Sequence, residues 1–507
     1  MITGKNCIAG EFKGQGNVVF RTFNPKKNIE NPTAFLEATP EEIEQAVEAA
    51  WAAFKTFRKV SGERRAAFLN AIADEILALD QELLDAYTSE SGLPEGRAIG
   101  ERGRTMGQLR AFAALVSKED WRGNTFDRAE PDRKPLPKDD LRKTMIPLGP
   151  VVVFGASNFP LAYSTAGGDT ASALAAGCPV IVKSHPMHAG TSELVAGAIV
   201  RAAERTGMPK GVFSSVNGGI QAGVDLVRHP KVKAVGFTGS LVGGRALFDH
   251  AAKREEPIPV FAEMGSINPV VVTPSALATR GGDIAKTYAG SITLGTGQFC
   301  TNPGLLLTLR DGNTQNFVQR LAQEALALEP QVMLHPNIKR GYDSNGTLVS
   351  SQNGVELVGK YQGDLAPNYA PAVIATVSGA EFLSNPKLHQ EVFGPFSLVV
   401  QAKDGAELLQ IIEGLEGQLT GTLIAEEKDS LDLAEIVEAL QNRVGRVIFN
   451  GVPTGVEVCP AMQHGGPYPA STDSRFTAVG VHAINRWVRP VSYQSFPQEL
   501  LPEHLRG

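Results

Sequence analysis

Four short segments carry side chains whose types and spacing suit chemistry on a carbonyl. Cys300 lies in TLGTGQFCTN, where two glycines just before it permit a tight backbone approach. Amides gathered around a thiol lower its pKa or hold an oxyanion. The alternative for a single cysteine is a small buried apolar side chain. Glu263 interrupts the apolar run PVFAEMGSINP, and a carboxylate there is costly to bury unless paired or used. It is either a satisfied structural acid or a general base with a raised pKa. Asn158, in GASNFP, is suited to donate its amide to a developing oxyanion, or to cap a turn. GFTGSLVGG (236–244) is glycine-rich between a strand and a helix. Such a turn either sets backbone amides near a phosphate or is an ordinary tight connection. No GxGxxG fingerprint stands in a strand–helix setting. Thiol, carboxylate, amide donor and two glycine-rich strand ends together supply what covalent oxidation of a carbonyl needs. Cys178 opens an apolar strand and reads as core, while Cys7 and Cys459 have no supporting neighbours.

The elements that must position these residues alternate. PVVVFGAS (150–157), CPVIVKS (178–184), GVFSSVNG (211–218), KAVGFTGS (233–240), IPVFAEMG (258–265) and NPVVVTP (268–274) read as strands. Helical patterns separate several of them, as in the stripe Leu194, Val195, Ala198, Ile199 and Ala202. Apolar strands alternating with helices predict a parallel sheet covered on both faces, with ligands at the carboxyl ends of its strands. The first third of the chain reads helical. Thr39-Pro40-Glu41-Glu42 has the form of a helix start, and Ile43, Val47, Ala50 and Phe54 then share one face. A second helix opens near Ser61. The Pro-rich, basic stretch 130–147 reads as a projecting hairpin or linker, and 486–505 as a sheet-edge strand followed by a tail.

Composition narrows the classes further. The 507 residues suggest about three domains of roughly 150 residues each. With 42% apolar and 20% charged residues, wholesale disorder is excluded. A net charge of −6, from 48 basic and 54 acidic side chains, argues against nucleic acid as the main partner. No apolar run approaches the roughly 20 residues of a membrane span, and the N-terminus lacks a signal pattern. A cytoplasmic protein off the membrane is therefore expected. Four cysteines make no disulfide framework, and no cluster has zinc spacing, so no metal centre is expected.

GASNFP (155–160), the strand ending at Lys183, GFTGS (236–240), EMGSINP (263–269), GQFCTNPG (297–304) and EVFGPF (391–396) occur in an order that resembles the aldehyde dehydrogenase superfamily. The likeness runs from about residue 20 to 490. It implies an α/β fold with a Rossmann-type cofactor domain (1–129 and 148–262), an α/β catalytic domain (263–470) and a small oligomerisation extension with tail (130–147 and 471–507). A homodimer or homotetramer follows by the same resemblance. Cys300 matches the family nucleophile, Glu263 the general base and Asn158 the oxyanion donor. Lys183 matches the lysine on the adenosine ribose. Gly239, Ser240 and Gly244 match the turn under the pyrophosphate, and Glu391 and Phe393 the pair that positions the nicotinamide ribose and ring. Phe159 is expected to line the substrate approach. The resemblance implies a thiohemiacetal, hydride transfer and a thioester hydrolysed by water that Glu263 activates. Coenzyme A-acylating relatives lack that glutamate, which favours hydrolysis here.

Three departures from the family pattern carry information. Many relatives have a carboxylate three residues after the strand lysine, but Lys183 is followed by Ser184, His185 and Pro186. No anion there repels a 2′-phosphate, so NADP is expected as the preferred cofactor, with NAD as a second, held by Lys183, Ser184 and His185. The stretch between Asn158 and Lys183 holds no lysine, so a role given to one there in relatives does not carry over. His464, in MQHGGPYPAS, stands where many relatives have an aromatic, and either assists proton traffic or is a structural histidine. GGDTASALAAGCPVIVKSHPMHAGTSE, HGGPYPAS and RWVRPVSYQSFP narrow the likeness to a branch that oxidises 2,5-dioxopentanoate to 2-oxoglutarate. The same branch holds an NADP-dependent fatty aldehyde enzyme, so a medium- or long-chain aldehyde is the alternative substrate. A non-catalytic nucleotide-binding scaffold is the alternative from another class. A dicarboxylic product calls for a cation near the substrate. Arg102, Arg104 and Arg110 lie on one helical stretch, with Arg104 the expected contact.

Overall fold

The computed structural model describes residues 2–118 and 120–506. Its first seven-stranded sheet runs, in spatial order, Val260–Glu263, Ala234–Thr238, Val151–Phe154, Val180–Lys183, Phe213–Val216, Asn6–Ile8 and Glu11–Lys13. The first five are mutually parallel. From the central strand Val151–Phe154 the chain leaves in opposite directions, giving the strand order and switch point of a Rossmann-type sheet. Alternation along that strand divides the core. Val151 and Val153 face one helical layer, which includes Gly62–Leu77, Glu95–Val116 and Ala189–Arg205. Val152 faces the other, which includes Pro40–Phe57, Ile220–Arg228 and Leu241–Ala252. The helix Pro40–Phe57 starts at a complete capping box: the Glu42 amide donates to Thr39 Oγ1 at 3.2 Å, and the Thr39 amide to Glu42 Oε2 at 3.0 Å. Ile43, Val47, Ala50 and Phe54 are all buried on its inner face.

A second seven-stranded sheet runs Glu356–Leu357, Val373–Ser378, Phe396–Ala402, Leu305–Leu309, Pro269–Val272, Gln418–Ile424 and Val444–Phe449, parallel except at its first strand. Only Met264–Asn268 separates the last strand of the first parallel run from the first strand of the second. Glu263 therefore stands at the junction between the two sheets. A three-stranded antiparallel sheet joins Thr125–Asp127, Leu141–Pro147 and Val488–Gln494.

One sequence expectation is corrected here. The first third is not wholly helical: Asn6–Ile8 and Glu11–Lys13 extend the first sheet, and Val19–Asn24 pairs with Ile29–Leu36. Three-residue edge strands and Thr/Asn/Pro-rich hairpins give too little period-two pattern to read. The stretch 130–147 belongs to a hairpin, as one of its two readings had it: Leu141–Pro147 pairs antiparallel with Thr125–Asp127, Glu130 bridges Lys138, and Leu141–Pro147 is the central strand of the small sheet. The tail beyond Val488–Gln494 docks as well, since Leu501 and Leu505 are buried and Arg142 donates to the Leu505 carbonyl at 2.6 Å. Among the described residues, no helix is long and apolar enough to cross a membrane.

Candidate active site

Cys300 sits on a strained loop that enters the strand Leu305–Leu309. Gly295, Thr296 and Gly297 have φ of +55°, +58° and +64°, a left-handed run that a β-branched residue such as Thr296 rarely joins. A Cβ on Gly297 would overlap the Gly394 carbonyl. Gln298 braces the loop by donating to the Gly295 carbonyl and accepting from the Leu334 amide, each at 3.0 Å. From the junction between the sheets, fully buried Asn268 donates to the carbonyls of Cys300 and Asn302 at 2.8 and 2.9 Å. Asn158, at the end of the central strand of the first sheet, donates to the Gln298 carbonyl at 3.0 Å. The structure thus brings Asn158 to the Cys300 loop.

Glu263 ends its edge strand, and the segment 470–472 pairs along the free side. The Met264 amide donates to the Ala470 carbonyl at 2.9 Å, and Thr472 to Ala262 at 3.0 Å. That clamp fixes the chain that carries His464, whose backbone is bonded at both ends, from its amide to Thr477 Oγ1 and from the Ala478 amide to its carbonyl. His464 Nε2 lies 3.1 Å from Glu263 Oε1 and 3.6 Å from Cys300 Sγ. His464 and Glu263 are buried and Cys300 is half-buried. Burial opposes ionisation of Glu263, but the His464 imidazole outweighs it and holds the carboxyl below its ordinary value. Burial pushes the Cys300 thiol well up, and the Glu263 carboxylate adds to the rise, against a lowering by Arg104. Burial pushes the core thiols of Cys7 and Cys178 up to about 12 and about 11, with the Glu193 charge adding to the rise at Cys7.

An aromatic cluster packs beside the Cys300 loop. The Phe159 ring packs on Tyr163 and Phe299 with centroids 5.2 and 5.5 Å away, and the Arg97 guanidinium lies 4.5 Å over it. Of the three arginines on the helical stretch, only Arg104 turns to this site, donating to Tyr163 Oη at 2.8 Å. Arg102 and Arg110 are directed to Asp80 and Asp74 on the surface. A second guanidinium, Arg446, was not legible as a site residue. It is held by the carbonyls of Pro453 and Gly455 at 2.8 and 3.1 Å and lies near Met462. Burial opposes the charge of both guanidiniums, while Tyr163 and Glu101 favour that of Arg104. Each has a buried Nε without a hydrogen-bond partner, and neither has a carboxylate within ion-pair distance among the described residues.

Residues expected at the cofactor lie around the carboxyl ends of the first sheet. Ser240 caps the helix Leu241–Ala252 through the Gly243 amide at 3.2 Å, and exposed Leu241 and Val242 leave that N-terminus open. A Cβ on Gly244 would come 2.7 Å from Met264, so only glycine lets this helix lie so close to the junction. Gly239 donates its amide to the Glu263 carbonyl at 3.0 Å. Glu391 accepts from the Ser266 amide at 3.3 Å, and burial pushes its carboxyl up to about 7. A Cβ on Gly265 would crowd it at 2.7 Å. Phe393 and Glu391 line one hollow with Phe299 and Asn302. Lys183 is pushed down to about 8 by burial, against an opposing pull from Glu37, an acid the sequence did not reveal here. The trio expected around a 2′-phosphate is only partly free. Ser184 donates its hydroxyl inward to Asn217, and His185 Nδ1 accepts the Met187 amide at 3.3 Å. Burial keeps His185 neutral. Lys183 and exposed Pro186 remain at the site.

Sheet order, open helix N-terminus and a half-buried thiol beside the sheet junction describe an α/β protein of the Rossmann type with a free thiol among buried titratable groups. Residues 12–488 match the aldehyde dehydrogenase family, and the chain belongs to it. It is 49% identical over 509 residues to alpha-ketoglutaric semialdehyde dehydrogenase 2 of Azospirillum brasilense, covering 100% of this chain and 97% of the relative. It is 47% identical over 513 residues to alpha-ketoglutaric semialdehyde dehydrogenase of Acinetobacter baylyi, covering 99% and 96%. Among solved structures, 1-pyrroline-5-carboxylate dehydrogenase from Thermus with bound NAD superposes with a TM-score of 0.82 at 22% identity, covering 97% of this chain and 92% of that one. Methylmalonate-semialdehyde dehydrogenase of Oceanimonas doudoroffii gives 0.83 at 19%, covering 98% and 99%. At such identities the likeness shows the fold.

Proposed function

We propose that this enzyme oxidises 2,5-dioxopentanoate to 2-oxoglutarate and prefers NADP. The observation that carries the substrate is the pair Arg104 and Arg446, two guanidiniums without carboxylate partners near Cys300. An aldehyde whose far end is a carboxylate supplies what they lack. The relatives named above, near half identity over the full chain, support the same reading.

Cys300 is the nucleophile and attacks the aldehyde carbonyl. His464, 3.6 Å from the sulfur and 3.1 Å from Glu263, takes the thiol proton and passes it by way of Glu263 to solvent, so that the carboxylate is ionised again before hydrolysis. The second amide hydrogen of Asn158 and the Cys300 backbone amide hold the oxyanion. The residues present fit a dinucleotide: Gly239, Ser240 and Gly244 shape the phosphate turn, while Glu391 and Phe393 hold the nicotinamide end. When bound, the nicotinamide ring accepts the hydride. Glu263 then takes a proton from the water that attacks the Cys300 thioester, releasing the carboxylate. Lys183, with proline rather than an acid at position 186, favours a 2′-phosphate.

The cofactor part is assigned to 1–129 and 148–262, the catalytic part to 263–470, and oligomerisation to 130–147 and 471–507. The unpaired outer edge of Val488–Gln494 suits self-association into a dimer or tetramer. Four free cysteines suit a cytoplasmic setting. A second reading, a medium- or long-chain aldehyde, is favoured by the apolar lining of Phe159, Tyr163, Phe299 and partly buried Val456 and Met462. Reduction of NADP, followed at 340 nm with each aldehyde, separates the two. A higher kcat/KM for 2,5-dioxopentanoate than for hexanal supports the first, and the reverse order replaces it with the second.

A further inference from the structure

We infer that Cys300, His464 and Glu263 form a three-ligand site for a zinc ion, and that zinc held there blocks the nucleophile. Their sulfur, ring nitrogen and carboxylate oxygen all lie within 4.8 Å of one another. Zinc bonds of about 2.3 Å to sulfur and about 2.0–2.2 Å to nitrogen and oxygen, at tetrahedral angles, set ligand edges of about 3.6 Å for S···N and about 3.3 Å for N···O. The observed edges are 3.6 Å between Cys300 Sγ and His464 Nε2 and 3.1 Å between His464 Nε2 and Glu263 Oε1. Two of the three ligand edges therefore already match a zinc site, and the third, between sulfur and carboxylate, lies within 4.8 Å.

A second observation points the same way. Both Glu263 oxygens are buried, and neither accepts a hydrogen bond of good geometry. A cation supplies the missing partner. Charge also closes: zinc displaces the thiol proton to solvent, and one thiolate with one carboxylate neutralises the ion in a poorly hydrated pocket. The donor set selects among metals. Thiolate with imidazole suits zinc, whereas magnesium and calcium call for oxygen ligands. His464 is locked by its backbone bonds to Thr477 and Ala478, so its ring is preorganised. Three ligands leave a fourth position for water on the approach side, where Cys300 remains half-exposed. The sulfur lone pair that would attack an aldehyde is then donated to the metal. The ligands come from three distant segments, which is why no zinc spacing is legible in the sequence.

The test titrates the purified full chain with zinc against a chromophoric indicator, without aldehyde or cofactor. One equivalent is expected to bind per chain. His464→Phe, His464→Gln and Cys300→Ser should each weaken it by about 100-fold or more, beyond what loss of an outer-shell contact costs. Cobalt in place of zinc should give a thiolate-to-metal charge-transfer band that disappears in Cys300→Ser. Magnesium should leave the zinc isotherm unmoved. Melting curves identify any variant that fails to fold, and the cobalt band of the native chain stands apart from them. A His464→Gln protein, folded, that binds zinc within about threefold of the native chain overturns the proposal, as does cobalt binding without the charge-transfer band. The inhibitory half rests on the reading of Cys300 as the nucleophile. Zinc that binds one to one while aldehyde oxidation continues at saturation overturns that half. Zinc binding with no oxidation of any aldehyde, even after chelation, would instead sink the enzymatic reading and leave the metal site standing.

Discussion

The side-chain amide of Asn268 donates 2.8 Å to the backbone carbonyl of Cys300. Asn268 has φ of +48° and is fully buried, a conformation asparagine adopts more readily than most residues. Its Oδ1 accepts from Ser266 and Thr420, so a single side chain ties the nucleophile loop to the junction of the two sheets. Asn268→Ala would leave these buried partners unsatisfied, at a cost of about 2–3 kcal/mol. A lower melting temperature and a loss in kcat larger than any loss in cofactor affinity are expected. Unchanged melting and turnover would show that the loop is held elsewhere.

Arg446→Leu and Arg104→Leu should act on the carboxylate end of the substrate. A hydrogen bond to a charged group is worth about 1.5–3 kcal/mol, so kcat/KM for 2,5-dioxopentanoate should fall by about 10- to 100-fold. The constant for hexanal, which has no carboxylate, should change little. Equal losses on both aldehydes would assign these arginines to packing around Tyr163 and Met462 rather than to recognition.

Cofactor affinity should depend on pH through Lys183. Its ammonium, pushed down to about 8, is charged below that pH and neutral above it in the free enzyme. Binding a 2′-phosphate above pH 8 must recapture a proton, so the Kd for NADP should rise by up to about tenfold per pH unit there. The Kd for NAD, which lacks that phosphate, should stay nearly flat. Glu37 faces the same lysine; Glu37→Gln should lower the lysine pKa further while removing a repulsive charge. A parallel pH profile for both cofactors would place 2′-phosphate recognition elsewhere.

Pro186→Glu tests the proposal that position 186 faces the adenosine ribose. Preference should move towards NAD, read as the ratio of kcat/KM for the two cofactors. An unchanged ratio would argue that position 186 does not face the ribose.

Much of this architecture is legible in the residues. The apolar strands alternate with helices, and Thr39-Pro40-Glu41-Glu42 forms the expected capping box. Glu263 stands out because it breaks an apolar run, Cys300 and Asn158 through their glycine-rich or strand-end settings, and His464 only as a departure from the family pattern; the structure sets His464 beside Cys300 and Glu263, and Asn158 against the Cys300 loop. Arg446 was missed because a lone arginine in a strand such as Val444–Phe449 reads as its solvent side. Only the fold shows that 453–462 wraps over it. Asn268 looked like a strand-start asparagine, since its partners at 300, 302 and 420 are remote in the chain. Ser184 and His185 were expected to face a phosphate; the Ser184 hydroxyl turns inward to Asn217, and His185 Nδ1 caps the short turn at Pro186–His188 through the Met187 amide. The short N-terminal strands left too few residues for a period to emerge.

In the proposed reaction Cys300 carries the acyl group and Glu263 releases it. Its most direct test is intact-protein mass spectrometry of Glu263→Gln mixed with 2,5-dioxopentanoate and NADP, alongside stopped-flow absorbance at 340 nm. A burst of one NADPH per active site is predicted, with an acyl adduct that maps to the Cys300 peptide and persists far longer than in the native enzyme. Cys300→Ala should show neither burst nor adduct while still binding NADP. A full burst with no adduct on Cys300, or steady turnover by Cys300→Ala, would contradict the account.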